Sequence, residues 1–184
     1  MEFIGILLAL SIVIVNGQNF TVEVQKHYEF ENALKEGQGV WQHRSEASLA
    51  KTLRINDLVG GTKMIHLTLC IQPYDTSQNV TFYIDDIRYS NDGPSDNITV
   101  LFNGLKIATF KTVEKWRAGQ EWNVFRNSGR IGPSLEAMEG QYVLTVYAKT
   151  DEWGVELDRI RINAENHSPA KELFCDATYT EPLK

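Results

Sequence analysis

Few residues of this 184-residue chain could do chemistry: two cysteines, four histidines, four tryptophans and some of the 24 acidic residues. Cys70 and Cys175 form an even pair. In an exported protein such a pair reads as one disulfide; otherwise it is two buried thiols. The loop that the bond would close is about 105 residues, which the chain-entropy account converts to roughly 4–5 kcal/mol. Two cysteines this far apart do not by themselves make a metal site. His27, His43, His66 and His167 show no His-x-x-x-His spacing. No Gly-x-Ser-x-Gly elbow, phosphate loop or reactive-cysteine context is present. Glycoside hydrolysis needs two carboxylates facing one cleft, and no motif here fixes such a pair. The expectation is a protein that is not an enzyme. Among the tryptophans, Trp116 lies between Lys115 and Arg117, and Trp153 follows Asp151 and Glu152. Both are expected at the surface. Trp41 and Trp122 sit in strand-like segments and are expected to pack in the core or at its rim.

The N-terminus and the sequons bear on where these residues work. An apolar run of about 13 residues, from Phe3 to Val15, has the length of a signal-peptide core and is too short to span a bilayer. Val15-Asn16-Gly17 offers a cleavage point after Gly17. The n-region carries Glu2 and no Lys or Arg, so an N-terminal hydrophobic strand is the alternative. Sequons stand at Asn19-Phe20-Thr21, Asn79-Val80-Thr81 and Asn97-Ile98-Thr99. Asn19, Asn79 and Asn97 are expected to carry N-linked glycans, whereas Pro169 weakens the one at Asn166. The net charge of −6 argues against nucleic acid, which calls for a basic stripe. A secreted, extracellular product without membrane insertion is expected.

The elements that must position these residues are strands. Apolar and β-branched residues alternate over 21–30, 39–43, 47–55, 63–71, 79–89, 98–102, 105–112, 121–125, 141–148 and 156–162. Asn103-Gly104 between two such runs predicts a type I′ hairpin. A short helical turn is expected around 134–138. About ten regularly spaced strands predict an all-β fold, a jelly-roll β-sandwich of two antiparallel sheets. The chain then divides into a signal peptide over 1–17, one jelly-roll domain over 18–163, and a tail over 164–184 pinned by the disulfide.

Several local patterns recur in a telling order. Tyr28-Glu29-Phe30-Glu31-Asn32-Ala33 opens the domain, and Glu46-Ala47-Ser48-Leu49-Ala50-Lys51 follows. Arg88-Tyr89-Ser90-Asn91 and Asn103-Gly104-Leu105-Lys106 come next, then Trp116 and Trp122. Glu156-Leu157-Asp158-Arg159-Ile160 closes the series. This order, over roughly 28–162, resembles the family 6 and family 35 carbohydrate-binding modules, which are galactose-binding-like jelly rolls.

The resemblance implies a structural calcium held by Glu29, Glu31 and Asp158. Residues i and i+2 of a strand share a face, so the two glutamates would repel without a cation between them. Calcium takes six to eight oxygen ligands, which carboxylates and carbonyls supply. The resemblance also matches Trp116 to a sugar-stacking tryptophan, and places Trp153 and Glu156 at the ligand. Position 156 holds asparagine in the family, so Glu156 is a departure. A lectin-like carbohydrate-binding module recognising a glycan or an extracellular glycoprotein is expected. The alternative is an adhesion or matrix protein that uses the same fold to bind protein.

Overall fold

The computed structural model describes residues 25–36, 39–55, 64–114, 122–165 and 170–175. The expected leader, Asn19 and Trp116 lie outside the described residues. Twelve strands stand in chain order: β1 Gln25–Glu29, β2 Val40–His43, β3 Lys51–Ile55, β4 Met64–Pro73, β5 Val80–Asn91, β6 Asn97–Phe102, β7 Leu105–Lys111, β8 Arg126–Asn127, β9 Ile131–Ala137, β10 Gly140–Lys149, β11 Val155–Ala164 and β12 Ala170–Phe174. One sheet runs β2-β3-β11-β5-β8, with β1 also paired to β11 and β9 to β5; the other runs β12-β4-β10-β6-β7. Every pairing is antiparallel. This is the expected jelly-roll β-sandwich.

The period-2 pattern explains the second sheet well. Ile65, Leu67, Leu69 and Ile71 of β4 point into the core, while Met64, His66 and Thr68 point out. Leu144 and Val146 of β10, and Ile98 and Val100 of β6, complete that layer. Phe82 of β5 is fully buried and meets Phe102 edge-on at 5.8 Å between centroids. Each such side chain contributes on the order of 1.5–3 kcal/mol through burial. Asn103 and Gly104 both take positive φ (48° and 79°), as the type I′ turn requires.

The first sheet departs from simple alternation at a place that matters. The register of β11 on β5 slips between Leu157 and Arg159, so Asp158 is an extra residue in the strand. Leu157 and Ile160 both face the core, and Asp158 and Arg159 are both turned to the outer face. Bulges re-aim side chains in this way.

Five local expectations are corrected. The segment over 21–30 does not continue as a strand through Glu31: β1 ends at Glu29, and Phe30–Glu36 is a 3₁₀ helix that drops Phe30 into the core. The expected helical turn over 134–138 is the end of β9 and the residue after it, because pairing with β5 outweighs the helix propensity of Leu-Glu-Ala-Met. In the run over 121–125, the described residues 122–125 are not a strand; Trp122 and Asn123 form a turn before β8. Residues 44–50 are a loop before β3, closed by Arg44 N donating to the Ala50 carbonyl at 3.1 Å. The segment read as a tail over 164–184 includes β12, which pairs with β4. Among the described residues, no helix is long and apolar enough to cross a membrane.

Cys70 and Cys175 are bonded, with their Cα atoms 4.7 Å apart. Reduction should lower the unfolding free energy by roughly 4–5 kcal/mol. It should also raise amide exchange over 170–174. An unchanged urea midpoint in dithiothreitol would count against this role.

Candidate binding surface and acidic cluster

Two polar features share the outer face of the first sheet. The first starts from a cross-strand pair, Arg54 on β3 opposite Glu156 on β11. Glu156 is fully buried. Arg44, from the loop over 44–50, grips it with Nε at 2.7 Å and Nη2 at 2.5 Å, and the Thr52 hydroxyl donates at 3.0 Å. The Glu156 carboxylate raises the Arg44 pKa further, so the guanidinium stays charged. Trp122 is held by two cations: the Arg54 guanidinium lies 4.2 Å from its ring centroid and that of Arg44 5.8 Å. Asn123 ties this turn to the same loop, accepting from Glu46 N at 3.1 Å and donating to Ser45 Oγ at 2.7 Å.

Arg54 also fixes the loop before β11 by donating to the Trp153 carbonyl through Nε and Nη2, at 3.2 and 2.7 Å. Asp151 Oδ1 accepts from Trp153 N and Gly154 N, which sets the turn. A Cβ on Gly93 would stand 3.2 Å from the Trp153 Cβ, so a larger residue would have to push the two loops slightly apart. The outcome is a Trp153 that is 40% exposed and held by its carbonyl to the Arg54 guanidinium. An apolar flat face next to charge-assisted donors can hold the C–H face of a sugar and bond its hydroxyls.

The expected site residues are placed as follows. Trp153 is exposed. Glu156 is buried under Arg44. Trp41 is not core but 51% exposed on β2, with Lys51 Nζ 4.9 Å from its ring centroid. Trp122 is half-buried and packs at the rim, as expected. Asn79 is exposed in the turn before β5, and Asn97 opens β6 half-buried. Arg44 and Arg54 carried no motif in the sequence; their proximity to Glu156 is created by β3 pairing.

The second feature is the acidic cluster. Glu29, Glu31 and Asp158 are all buried. Ser48 Oγ lies 2.5 Å from Glu29 Oε2 and 2.8 Å from Asp158 Oδ1, and Ser48 N donates to Asp158 Oδ1 at 2.9 Å. Arg88 pairs with the other Asp158 oxygen, donates to the Glu46 carbonyl at 2.8 Å, and stacks on Phe125 at 4.6 Å. Burial pushes the Glu29 carboxyl up to about 7, against the Ser48 hydrogen bond and with help from Asp158 and Glu31. One hydroxyl proton cannot serve two carboxylates. A proton on Glu29 resolves this: Glu29 donates to Ser48, and Ser48 to Asp158. The Glu31 pKa is raised too, chiefly by burial. Glu31 Oε2 is buried without a hydrogen-bond partner.

The donor chemistry, buried carboxylates with one orphaned oxygen, is that of a hard cation's ligands. Among the described residues, however, no group of three or more His, Cys, Asp or Glu side chains is arranged to hold a metal ion as it stands.

No family model matches the sequence, and no curated protein does. Solved structures do. The C-terminal family 6 carbohydrate-binding module of a marine laminarinase from Zobellia galactanivorans superposes with a TM-score of 0.51 at 13% identity, over 75% of this chain and 98% of that one. The chain shares the fold of that module. A family 35 module from Clostridium thermocellum gives 0.48 at 16% identity, over 74% of this chain and 96% of that one. One from an environmental isolate gives 0.48 at 16%, over 70% and 85%.

Proposed function

We propose that this chain is a secreted, non-catalytic carbohydrate-binding module of the lectin type. Its ligand would be a glycan or the glycan of an extracellular glycoprotein. The observation that carries the reading is the exposed Trp153, held through its carbonyl by Arg54, which stands opposite the Arg44–Glu156 pair. In this reading Trp153 stacks on the sugar, together with Trp116. The free N–H groups of Arg44 and Arg54 donate to hydroxyls. Glu156 is a positioning residue that holds Arg44. Glu29, Glu31 and Asp158 hold a structural calcium once the proton on Glu29 is gone and Glu31 closes on the other two. The resemblance in motif order and the shared fold support both parts.

A glycan-array screen in calcium buffer tests the first part. Trp153→Ala should weaken any bound glycan by roughly tenfold or more, as loss of a central tryptophan contact does. Retained binding in a Trp116→Ala, Trp153→Ala double variant would overturn the assignment. The burial of Glu156 favours a second reading, an adhesion or matrix protein whose sugar cleft has been lost. Absence of binding by a folded protein to every glycan would select it.

A further inference from the structure

The loop over 44–50 joins the two polar features of the first sheet. Backbone bonds make it one compact piece. Ala47 N donates to the Arg44 carbonyl at 3.2 Å, Ala50 N to the Ala47 carbonyl at 3.2 Å, and Arg44 N to the Ala50 carbonyl at 3.1 Å. Ala50 takes φ 56° where the loop closes, a left-handed conformation that alanine adopts only at a cost. Ala47, at the middle of the loop, is buried.

One flank of this piece is fastened to the acidic cluster. Ser48 N and Ser48 Oγ both bond Asp158 Oδ1, at 2.9 and 2.8 Å, and Ser48 Oγ stands 2.5 Å from Glu29 Oε2. The Glu46 carbonyl accepts from Arg88, which itself pairs with Asp158. The other flank is fastened to the binding surface. Arg44 bonds Glu156 through Nε and Nη2 and lies over Trp122. Asn123 accepts from Glu46 N and donates to Ser45 Oγ. Glu156 and Asp158 both belong to β11, with the bulge beside them. The loop therefore closes a second path between them, made of hydrogen bonds, beside the strand itself.

We propose that the loop over 44–50 is a lever with Ser48 as its positioning residue: the acidic cluster holds Ser48, and Ser48 sets how Arg44 and Trp122 stand at the binding surface. The inference rests on the reading of the two features as a glycan surface and a calcium site. A compact piece fastened at both flanks cannot shift at one without straining the other. Whatever draws Asp158 or Glu29 to a new position, a divalent cation above all, carries Ser48 with it. The coupling is equal in both directions. A glycan that fixes Arg44 strengthens the hold on the cation by the same factor by which the cation strengthens the hold on the glycan.

The test reads the Arg44 Nε–H and Trp122 indole N–H signals by nuclear magnetic resonance in the full, isotope-labelled chain. Ser48→Ala should move both signals. Ser48→Thr, which keeps the hydroxyl, should leave them near their wild-type positions. Thr145→Ala, which removes a hydroxyl bonded to His66 on the second sheet, should move neither. Calcium chloride added to the wild-type chain should move both signals as it raises the melting temperature. In Ser48→Ala calcium should still raise the melting temperature but leave both signals in place. If Ser48→Ala does not fold, Ser48→Cys fills the same space with a weak donor and takes its part. Signals that stay in place when the hydroxyl is lost overturn the lever. So does a wild-type chain that calcium stabilises while both signals stay. A melting temperature indifferent to calcium overturns the calcium reading alone, and the comparison of Ser48→Ala with Ser48→Thr still decides the lever. The glycan array decides the lectin reading separately.

Discussion

Arg88→Ala should destabilise the fold by about 3–5 kcal/mol, the usual result of removing one partner from a buried ion pair. Asp158 has no exposed surface and sits at a bulge that fixes its direction. Without the guanidinium, one of its oxygens faces buried surroundings with no compensating charge. The same substitution frees the Glu46 carbonyl and uncovers Phe125. Arg88→Lys should recover only part of the loss, because an ammonium cannot serve the carboxylate, the carbonyl and the ring together. Urea unfolding of the two variants measures both numbers. A loss below about 1 kcal/mol for Arg88→Ala would mean that Asp158 is solvated or neutral, against the burial found here.

Stability in a chelator should fall as pH rises from about 4.5 to about 7. The Glu29 carboxyl is raised from its ordinary 4.5 to about 7 in the folded chain, so the folded state holds that proton more tightly than the unfolded one. Its contribution is therefore complete below the unfolded value and is lost as pH climbs through the folded value. The span corresponds to on the order of 3 kcal/mol. Glu29→Gln should flatten the profile and stabilise the protein at neutral pH. Calcium should act with the opposite slope, because it competes with that proton. At about a hundred times its dissociation constant it would add about 2.7 kcal/mol, most fully at pH 7 and above. Thermal unfolding at pH 5 and pH 7.5, with calcium and with chelator, separates the two. A chelated protein of constant stability over this range sinks the protonated Glu29. A midpoint indifferent to calcium at pH 7.5 sinks the metal.

The sheets were legible because their signals are local. Ile65, Leu67, Leu69 and Ile71 alternate within β4, and Asn103-Gly104 announces its turn. The motif order pointed to the right fold, and Glu29 and Asp158 meet at the Ser48 hydroxyl. What stayed hidden depends on pairing between distant segments. Nothing around Arg44 or Arg54 says that β3 will lie against Glu156. The bulge at Asp158 is an event in register, which alternation alone does not encode. Trp41 was misjudged because strand-like sequence does not tell an edge from a centre. Among the described residues β2 is the end strand of its sheet, and the indole is left largely exposed. Leu-Glu-Ala-Met at the end of β9 favours a helix by composition and is overruled by β5.

The bond between Cys70 and Cys175 also has a mechanical meaning. Among the described residues β12 is the last strand of its sheet, and alone it could be peeled from β4 one hydrogen bond at a time. A pull on the chain beyond Cys175 does not reach that seam. It passes through two sulfur atoms into β4, which is flanked by β12 on one side and β10 on the other. The load is shared with the centre of the sandwich, where many bonds must shear at once. Reduction turns the same end of the molecule into one that opens under small force, while the face bearing Trp153 keeps its shape.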